Sequence, residues 1–320
     1  MWLTWRAATQ HALYAEGGFY LRERPSGHFR TSVGASPAFA EAVLALLVEV
    51  DAELKTPPVL DLVDIGAGEG VLVSHVLDAA DPGLRDRLRV TAVDLSLRPA
   101  GLAESITWSA VIPSGITGLA IANEWLDNIP LDVAEQTPDG PHLVMVNVRT
   151  GEERLGEPIG AADREWIDRW WPLSCVGSRA EIGHPRDAAW ASVIQRLARG
   201  CAVAVDYAHP VDNRPAHGTL TGYRDGSVVT PVPDGTCDIT AHVALDACAA
   251  AGERAGAIST ALSTQRDALR ALGITGARPP LDLAGHDPSG YLRALARASE
   301  EAELIDPRGL GGFGWLSQTR

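Results

Sequence analysis

The sequence predicts an α/β protein: a doubly wound, mostly parallel sheet that carries a helical insertion. Three observations predict it. Short apolar runs at 59–65, 89–93 and 118–122 close in glycine, Asp94 and Asn123, the pattern of strands buried on both faces. Stretches with apolar residues at helical spacing separate these runs, and strand–helix alternation builds parallel sheets. Residues 151–200 then change character and read as helices inserted into that alternation.

Each element has its own local reason. Ser36 and Pro37 supply an N-cap and a proline at the first helical position, and Phe39, Val43, Leu46, Leu47 and Val50 follow at helical spacing, ending near Pro57-Pro58. The run 59–65 leads into glycines and a helix at 71–77. Strands follow at 89–93 and 118–122, with a fourth expected at 142–148. Helices at 161–171, bearing Trp166, Trp170 and Trp171, and at 187–199 form the insertion. A strand at 201–205, a hairpin at 218–233 around Arg224-Asp225-Gly226 and a helix at 239–251 come next. Segments 256–259, 264–272, 288–304 and 313–316 continue the alternation. The expected organisation is a helical segment and lid at 1–55, the first part of an α/β domain at 56–150, the insertion at 151–200, and the rest of the domain at 201–320 with a hairpin insertion at about 208–240.

Composition narrows the chemistry. With 46% hydrophobic and 21% charged residues, the 320-residue chain is ordinary for a globular protein, which excludes disordered and fibrous classes. Forty-one acids against 27 bases give a net charge of −14, a field that repels phosphate and argues against nucleic acid as a partner. Among the bases only Lys55 is lysine, and its setting fits no Walker A loop, Ser-Lys dyad or pyridoxal site. Cys175, Cys201, Cys237 and Cys248 lack metal or redox spacing and are expected as reduced core thiols. Residues 1–20 contain no apolar signal core, and the longest apolar run, 42–48, is far short of a membrane span. The expectation is a cytoplasmic protein without membrane insertion.

The segment Asp64-Ile65-Gly66-Ala67-Gly68-Glu69-Gly70 runs a strand through GxGxG into a helix. A dinucleotide fingerprint would place a third small residue where Val71 stands, which disfavours a nicotinamide oxidoreductase. An acid before such a loop suits a ligand bearing an ammonium and a carboxylate, as S-adenosylmethionine does. Asp64 would offset the ammonium, the loop N–H groups would approach the methionyl end and ribose, and Asp94 would accept from the ribose hydroxyls. The alternative is a plain glycine turn with a strand-end acid.

Asn123-Glu124-Trp125-Leu126-Asp127 closes another strand, on the side where α/β sheets bind ligands. Glu124 and Asp127 could hold a guanidinium acceptor bidentately and keep electron density on its nitrogen. Equally, Asp127 could cap a turn and Glu124 be solvated. Farther on, His209 or His242 could relay a proton or simply cap and pack, and Tyr207 could face adenine, the substrate or the core.

These segments, taken with others in order, carry a resemblance. They are Gly27-His28-Phe29-Arg30-Thr31-Ser32, the Asp64–Gly70 loop, Ala122-Asn123-Glu124 with Asp127 and Pro130, and Asp206-Tyr207. Gly218-Thr219-Leu220 with Tyr223-Arg224, Asp238-Ile239-Thr240-Ala241-His242-Val243, Thr264-Gln265 and Gly311-Gly312-Phe313 follow. The chain resembles the MidA-type S-adenosylmethionine-dependent methyltransferases, which include a mitochondrial arginine methyltransferase that assists assembly of respiratory complex I. The resemblance implies a class I, Rossmann-like methyltransferase fold, S-adenosylmethionine as cofactor and a protein arginine as acceptor. It implies cofactor binding by Asp64, Gly66, Gly68, Gly70, Asp94, Asn123, Thr31 and Ser32, the last two in a lid over 27–32, and acceptor chemistry by Glu124, Asp127, Tyr207 and His209. The chain departs from the family at His28, where Asp is usual, and at Asp64 and Asp94, where Glu is usual. A catalytically weak homologue acting as a scaffold is the alternative in a different functional class.

Overall fold

The computed structural model describes residues 1–22 and 32–320, so residues 27–31 of the expected lid, His28 and Thr31 included, lie outside the described residues. Two compact units make up the chain, each assembled from discontinuous segments: residues 30–123, 196–205 and 258–320 in one, and 1–29, 124–195 and 206–257 in the other.

The first unit holds a seven-stranded sheet. Its strands are β2 (Leu60–Ile65), β3 (Leu88–Val93), β4 (Ile106–Ser109), β5 (Ile116–Asn123), β10 (Leu197–Asp206), β14 (Ser259–Thr264) and β15 (Gly314–Thr319), in the order β14-β15-β10-β5-β2-β3-β4. From β10 to β4 every pairing is parallel, and β14 runs antiparallel to β15. All six residues of β2 are buried, as a strand covered on both faces requires. Its helices are α3 (Ser32–Ala35), α4 (Pro37–Glu53), α5 (Val71–Ala79), α6 (Pro82–Arg85), α10 (Gln265–Ala271), α11 (Leu281–His286) and α12 (Pro288–Leu304). The Ser36 hydroxyl accepts from Ala38 N–H at 3.0 Å, so the expected cap starts α4.

Glycine sets the closeness of three adjacent strands. A Cβ on Gly118 would lie 2.1 Å from the carbonyl oxygen of Asp61, and one on Gly200 2.1 Å from that of Gly118. Both have φ in the left-handed half of the map, at +149° and +123°. Beside them the buried Asp61 carboxylate accepts from Arg89 Nε and Nη2 at 2.5 and 2.9 Å and from Thr117 N–H at 2.7 Å.

The second unit is antiparallel. β1 (Trp2–Thr4), β7 (Gly140–Asn147), β6 (Asp132–Thr137) and β9 (Arg179–Ile182) form a sheet in that order, with β8 (Glu153–Pro158) also on β7. Neighbouring residues of β6 face opposite sides: Val133 packs with Trp5 and Ala8 of α1 (Trp5–Tyr14), and Ala134 with Trp166 and Ile167 of α7 (Ala161–Trp170). The remaining helices are α2 (Phe19–Arg22), α8 (His184–Arg196) and α9 (Leu245–Arg254). A small sheet, β12-β11-β13, is built from β11 (Thr221–Arg224), β12 (Ser227–Val229) and β13 (Asp238–Thr240). Asp225 and Gly226, with φ of 50° and 73°, make the expected hairpin turn.

Several expectations change here. The strand at 142–148 belongs to β7 of the antiparallel sheet, because Thr137-Pro138-Asp139-Gly140 turns the chain straight back, with proline and glycine at the positions that such a turn favours. Residues 151–200 contain β8 and β9 besides two helices, so the insertion is not purely helical. Residues 239–251 are not one helix: the β-branched Ile239 and Thr240 pair with β11, and the helix begins only at Leu245. Of the four free thiols, Cys175 is exposed.

Gly118→Ala should lower unfolding free energy by about 2 kcal/mol or more, because the added carbon meets backbone in a disfavoured conformation. Urea denaturation measures this, and a midpoint equal to wild type would contradict the packing described.

Candidate functional site

The turn after β2 is held by backbone. Gly66 and Ala67 N–H donate to Val93 O at 2.9 and 3.1 Å, and Gly66, Gly68 and Gly70 have φ of 76°, 56° and 72°. The glycines differ in what they allow. A Cβ on Gly70 would press on Leu102 at 2.9 Å, whereas one on Gly68 would meet nothing within 4 Å. Gly68 therefore leaves open space in front of the loop. Gly70 caps α5 without a side-chain hydrogen bond, so the first turn of that helix presents main-chain N–H groups and the positive end of its dipole.

Two acids flank the turn. Asp94 accepts from Gly68 N–H at 2.9 Å through one oxygen and from Ser96 N–H at 2.8 Å through the other, which leaves lone pairs on both. Asp64 is 3% exposed, and among the described residues no donor hydrogen-bonds its carboxyl group. Burial, helped by the charge of Asp94, pushes its pKa up to about 7. A buried acid without a cation, an uncapped helix start and an open glycine suit a ligand carrying an ammonium, a carboxylate and hydroxyls, so the residues present fit S-adenosylmethionine. Asn123, buried at the end of β5, pairs in register with Val205. Ser32 is fully buried and donates to Gln265 Oε1 at 2.9 Å, while Gln265 Nε2 donates to Leu304 O at 3.0 Å, which makes its described bond a packing one.

The antiparallel unit gathers the remaining candidates. Glu124 has φ 51°, a left-handed backbone that non-glycine residues adopt rarely and that often marks a functional turn. Asp127 is 5% exposed; its Oδ2 accepts from Thr240 Oγ1 at 2.7 Å and its Oδ1 is buried with no hydrogen bond. The N–H groups of Leu126 and Asp127 donate to the Asp206 carboxylate, at 2.9 and 3.2 Å. Burial raises the pKa of Asp127 and raises that of Asp206 well above the carboxylate range, with the charge of Asp127 adding to the latter.

Tyr207 stacks on His242 with ring centroids 5.5 Å apart, and burial, with Glu124 and Asp127 nearby, raises its pKa, so its hydroxyl stays protonated. His209 takes a different part from the one expected. Arg214 Nη1 lies 2.7 Å from its Nδ1, and since arginine only donates, Nδ1 must be the lone-pair nitrogen. Burial, then the charge of Arg214, lowers its pKa to about 3. The ring packs edge-on against Trp171 at 4.5 Å and has no basic nitrogen available for proton relay.

Sequence reasoning missed Arg186, Glu181 and Tyr20. Arg186 is 3% exposed and donates only to main-chain carbonyls, while Glu181 gathers the N–H groups of Thr219 and Leu220 and the Thr219 hydroxyl. Tyr20 O–H reaches Asn128 Oδ1 and Asp238 Oδ1 at 2.6 and 2.7 Å. Each acts on residues distant in sequence, so no local pattern marks it. Among the described residues no His, Cys, Asp and Glu group could hold a metal ion.

The pKa of Asp64 has a thermodynamic consequence. Its folded value of about 7 lies above the ordinary 3.8, so the folded chain binds the extra proton, and Asp64 favours folding fully below about pH 4 and progressively less as pH rises to about 7. Asp64→Asn should therefore gain stability relative to wild type across that window and level off above it. Melting temperatures at pH 4 to 8 test this, and a difference independent of pH would count against it.

A family model described as "Putative S-adenosyl-L-methionine-dependent methyltransferase" matches residues 38–263. The chain is similar to the crystal structure of a COG1565 superfamily member from Burkholderia thailandensis bound to S-adenosyl-homocysteine, with 26% identity and a TM-score of 0.83 over 100% of this chain and 88% of that one. A second COG1565 superfamily protein structure from Burkholderia thailandensis is 27% identical with a TM-score of 0.82, over 100% of this chain and 87% of that one. No curated protein matches the chain. The match covers most of the sequence and agrees with the resemblance drawn from motif order: the chain belongs to this S-adenosylmethionine-dependent methyltransferase family, the COG1565 group that includes the MidA-type proteins.

Proposed function

We propose that the protein transfers the methyl group of S-adenosylmethionine to a guanidinium nitrogen of an arginine on a partner protein. The observation that carries this is Asp127, whose buried Oδ1 accepts no hydrogen bond and stands in a cluster with Asp206, Glu181 and one guanidinium. Among the described residues Arg186 is the guanidinium of this cluster and gives the Asp127 carboxyl group no hydrogen bond, so Oδ1 keeps an acceptor site that a guanidinium N–H of the methyl acceptor can fill.

The cofactor supplies an electrophilic methyl group on a sulfonium. In this reading Asp64 opposes its ammonium, the Gly66–Gly70 turn and the start of α5 receive its methionyl end, and the remaining lone pairs of Asp94 take the ribose hydroxyls. Asn123 and Ser32 act as wall and support, and the Thr31 role stands as a proposal of the family resemblance. Glu124 and Asp127 orient the acceptor nitrogen, and Tyr207 closes the acceptor side as a neutral donor. His209 is assigned packing only. No described helix is long and apolar enough to cross a membrane.

Glu124→Gln keeps shape and removes charge. It should lower methyl transfer to cell-extract protein at least about 100-fold, near 3 kcal/mol, as expected for losing a charged hydrogen bond, while S-adenosylhomocysteine affinity stays within a few-fold. Full activity in this variant, or product hydrolysis yielding methyllysine, would remove the arginine assignment. Asp94→Ala should instead weaken S-adenosylhomocysteine by about 1 to 3 kcal/mol in calorimetry, and unchanged affinity would reject the ribose placement.

A further inference from the structure

We propose that Arg186 is a positioning residue for the acceptor segments: its guanidinium ties the Asp127–Ile129 turn to Ala241 and His242, and so fixes where the Asp127 carboxylate stands. The proposal rests on the acceptor assignment above and adds a residue to it.

Arg186 enters from the first turn of α8. Its Nε donates to Ile129 O at 3.2 Å, Nη1 to Ala241 O and His242 O at 2.9 and 2.8 Å, and Nη2 to Asp127 O. A guanidinium is a rigid planar fork, so four carbonyls bound to it are held in one mutual geometry. Among the described residues no carboxylate hydrogen-bonds Arg186. A buried arginine serving only as half of an ion pair would spend its donors on an acid, whereas this one spends all its described bonds on the backbone of two motif segments. His242 is held from both ends, since its N–H donates to Thr219 Oγ1 at 2.8 Å and Thr219 is in turn bound by Glu181.

Charge gives the clamp a second effect. The titratable groups facing Arg186 are Asp127, Glu181, Asp206 and the Cys248 thiol, together with the His209 and His242 rings, whose protonation its charge disfavours. Arg186 also works against the burial that raises the pKa of Asp127. Arg186 thus bears on both the position and the ionisation of Asp127, beside the hydrogen bond from Thr240, and two substitutions separate its two effects. Lysine keeps the charge but lacks the planar fork; methionine removes both.

The test uses the full chain, labelled S-adenosylmethionine and cell-extract protein as acceptor, with amide exchange measured in parallel. Arg186→Lys should raise the apparent KM for extract protein at least about tenfold, leave the acid limb of the pH–rate profile in place, and speed exchange at Leu126, Asp127 and His242. Arg186→Met should also move the acid limb up by about one pH unit. Affinity for S-adenosylhomocysteine should stay within about twofold in both. Wild-type KM and wild-type exchange in Arg186→Lys would overturn the clamp, and a lowered melting temperature as the sole effect would reduce Arg186 to a stability element. If Arg186→Met does not fold, Arg186→Lys decides alone. Glu124→Gln assayed beside them separates the two layers: full activity there removes the acceptor assignment, while unchanged exchange in Arg186→Lys removes the clamp whatever the activity.

Discussion

Burying the Arg186 guanidinium among the carboxyl groups of Asp127, Asp206 and Glu181 is, among the described residues, the constraint on which the antiparallel unit depends. Each of Asp127, Asp206, Glu181 and Arg186 is at most 5% exposed, and a charge so far from water is tolerable only with donors, acceptors or countercharge around it. The chain meets the requirement with backbone. Asp206 takes the N–H groups of Leu126, Asp127 and Tyr207, Glu181 takes those of Thr219 and Leu220, and Arg186 supplies the facing carbonyls. The loops that satisfy these charges have little freedom to sit elsewhere, so irregular segments acquire the definition usually found in regular elements. Asp127 Oδ1 is the place where this satisfaction is incomplete.

The parallel-sheet unit shows the same physics on a single strand. β2 carries two buried acids. Asp61, near its start, is saturated by both arms of Arg89 and by Thr117 N–H; Asp64, near its end, receives nothing from the described residues. The end that lacks donors is the end that runs into the glycine turn, where α/β sheets bind their ligands. One acid serves the sheet, and the other is available to a ligand.

How much of this was legible in the sequence follows from the range of each signal. Ser36-Pro37, the glycine turn and the Asp225-Gly226 hairpin encode their conformations within a few residues, and these elements stand where expected. The parallel strands were legible because burial on both faces leaves continuous apolar runs. The antiparallel sheet was not: 142–148 reads equally as either kind of strand, and the Pro138-Asp139 turn between β6 and β7 decides the matter. In the site, Glu124 and Asp127 could be named from their place after a strand, but the partners that define them could not. Arg186 meets Asp127 across 59 positions, and Asp206 meets Leu126 across 80. His209 looked able to titrate because an isolated histidine does; Arg214, five residues on, takes its basic nitrogen.

The place of β15 bears on how the molecule is made. It lies between β10 and β14, and Gly200 and Arg320 exchange main-chain hydrogen bonds at 2.9 and 3.0 Å. During synthesis β10 therefore leaves the ribosome more than a hundred residues before the strand that covers its open side. The antiparallel unit, begun before β10, is completed during that interval, since its last segment ends at residue 257. Vectorial synthesis thus presents a nascent chain with one unit ready to close and the other holding an unpaired, apolar strand edge, which is open to pairing with other chains until the last strand emerges.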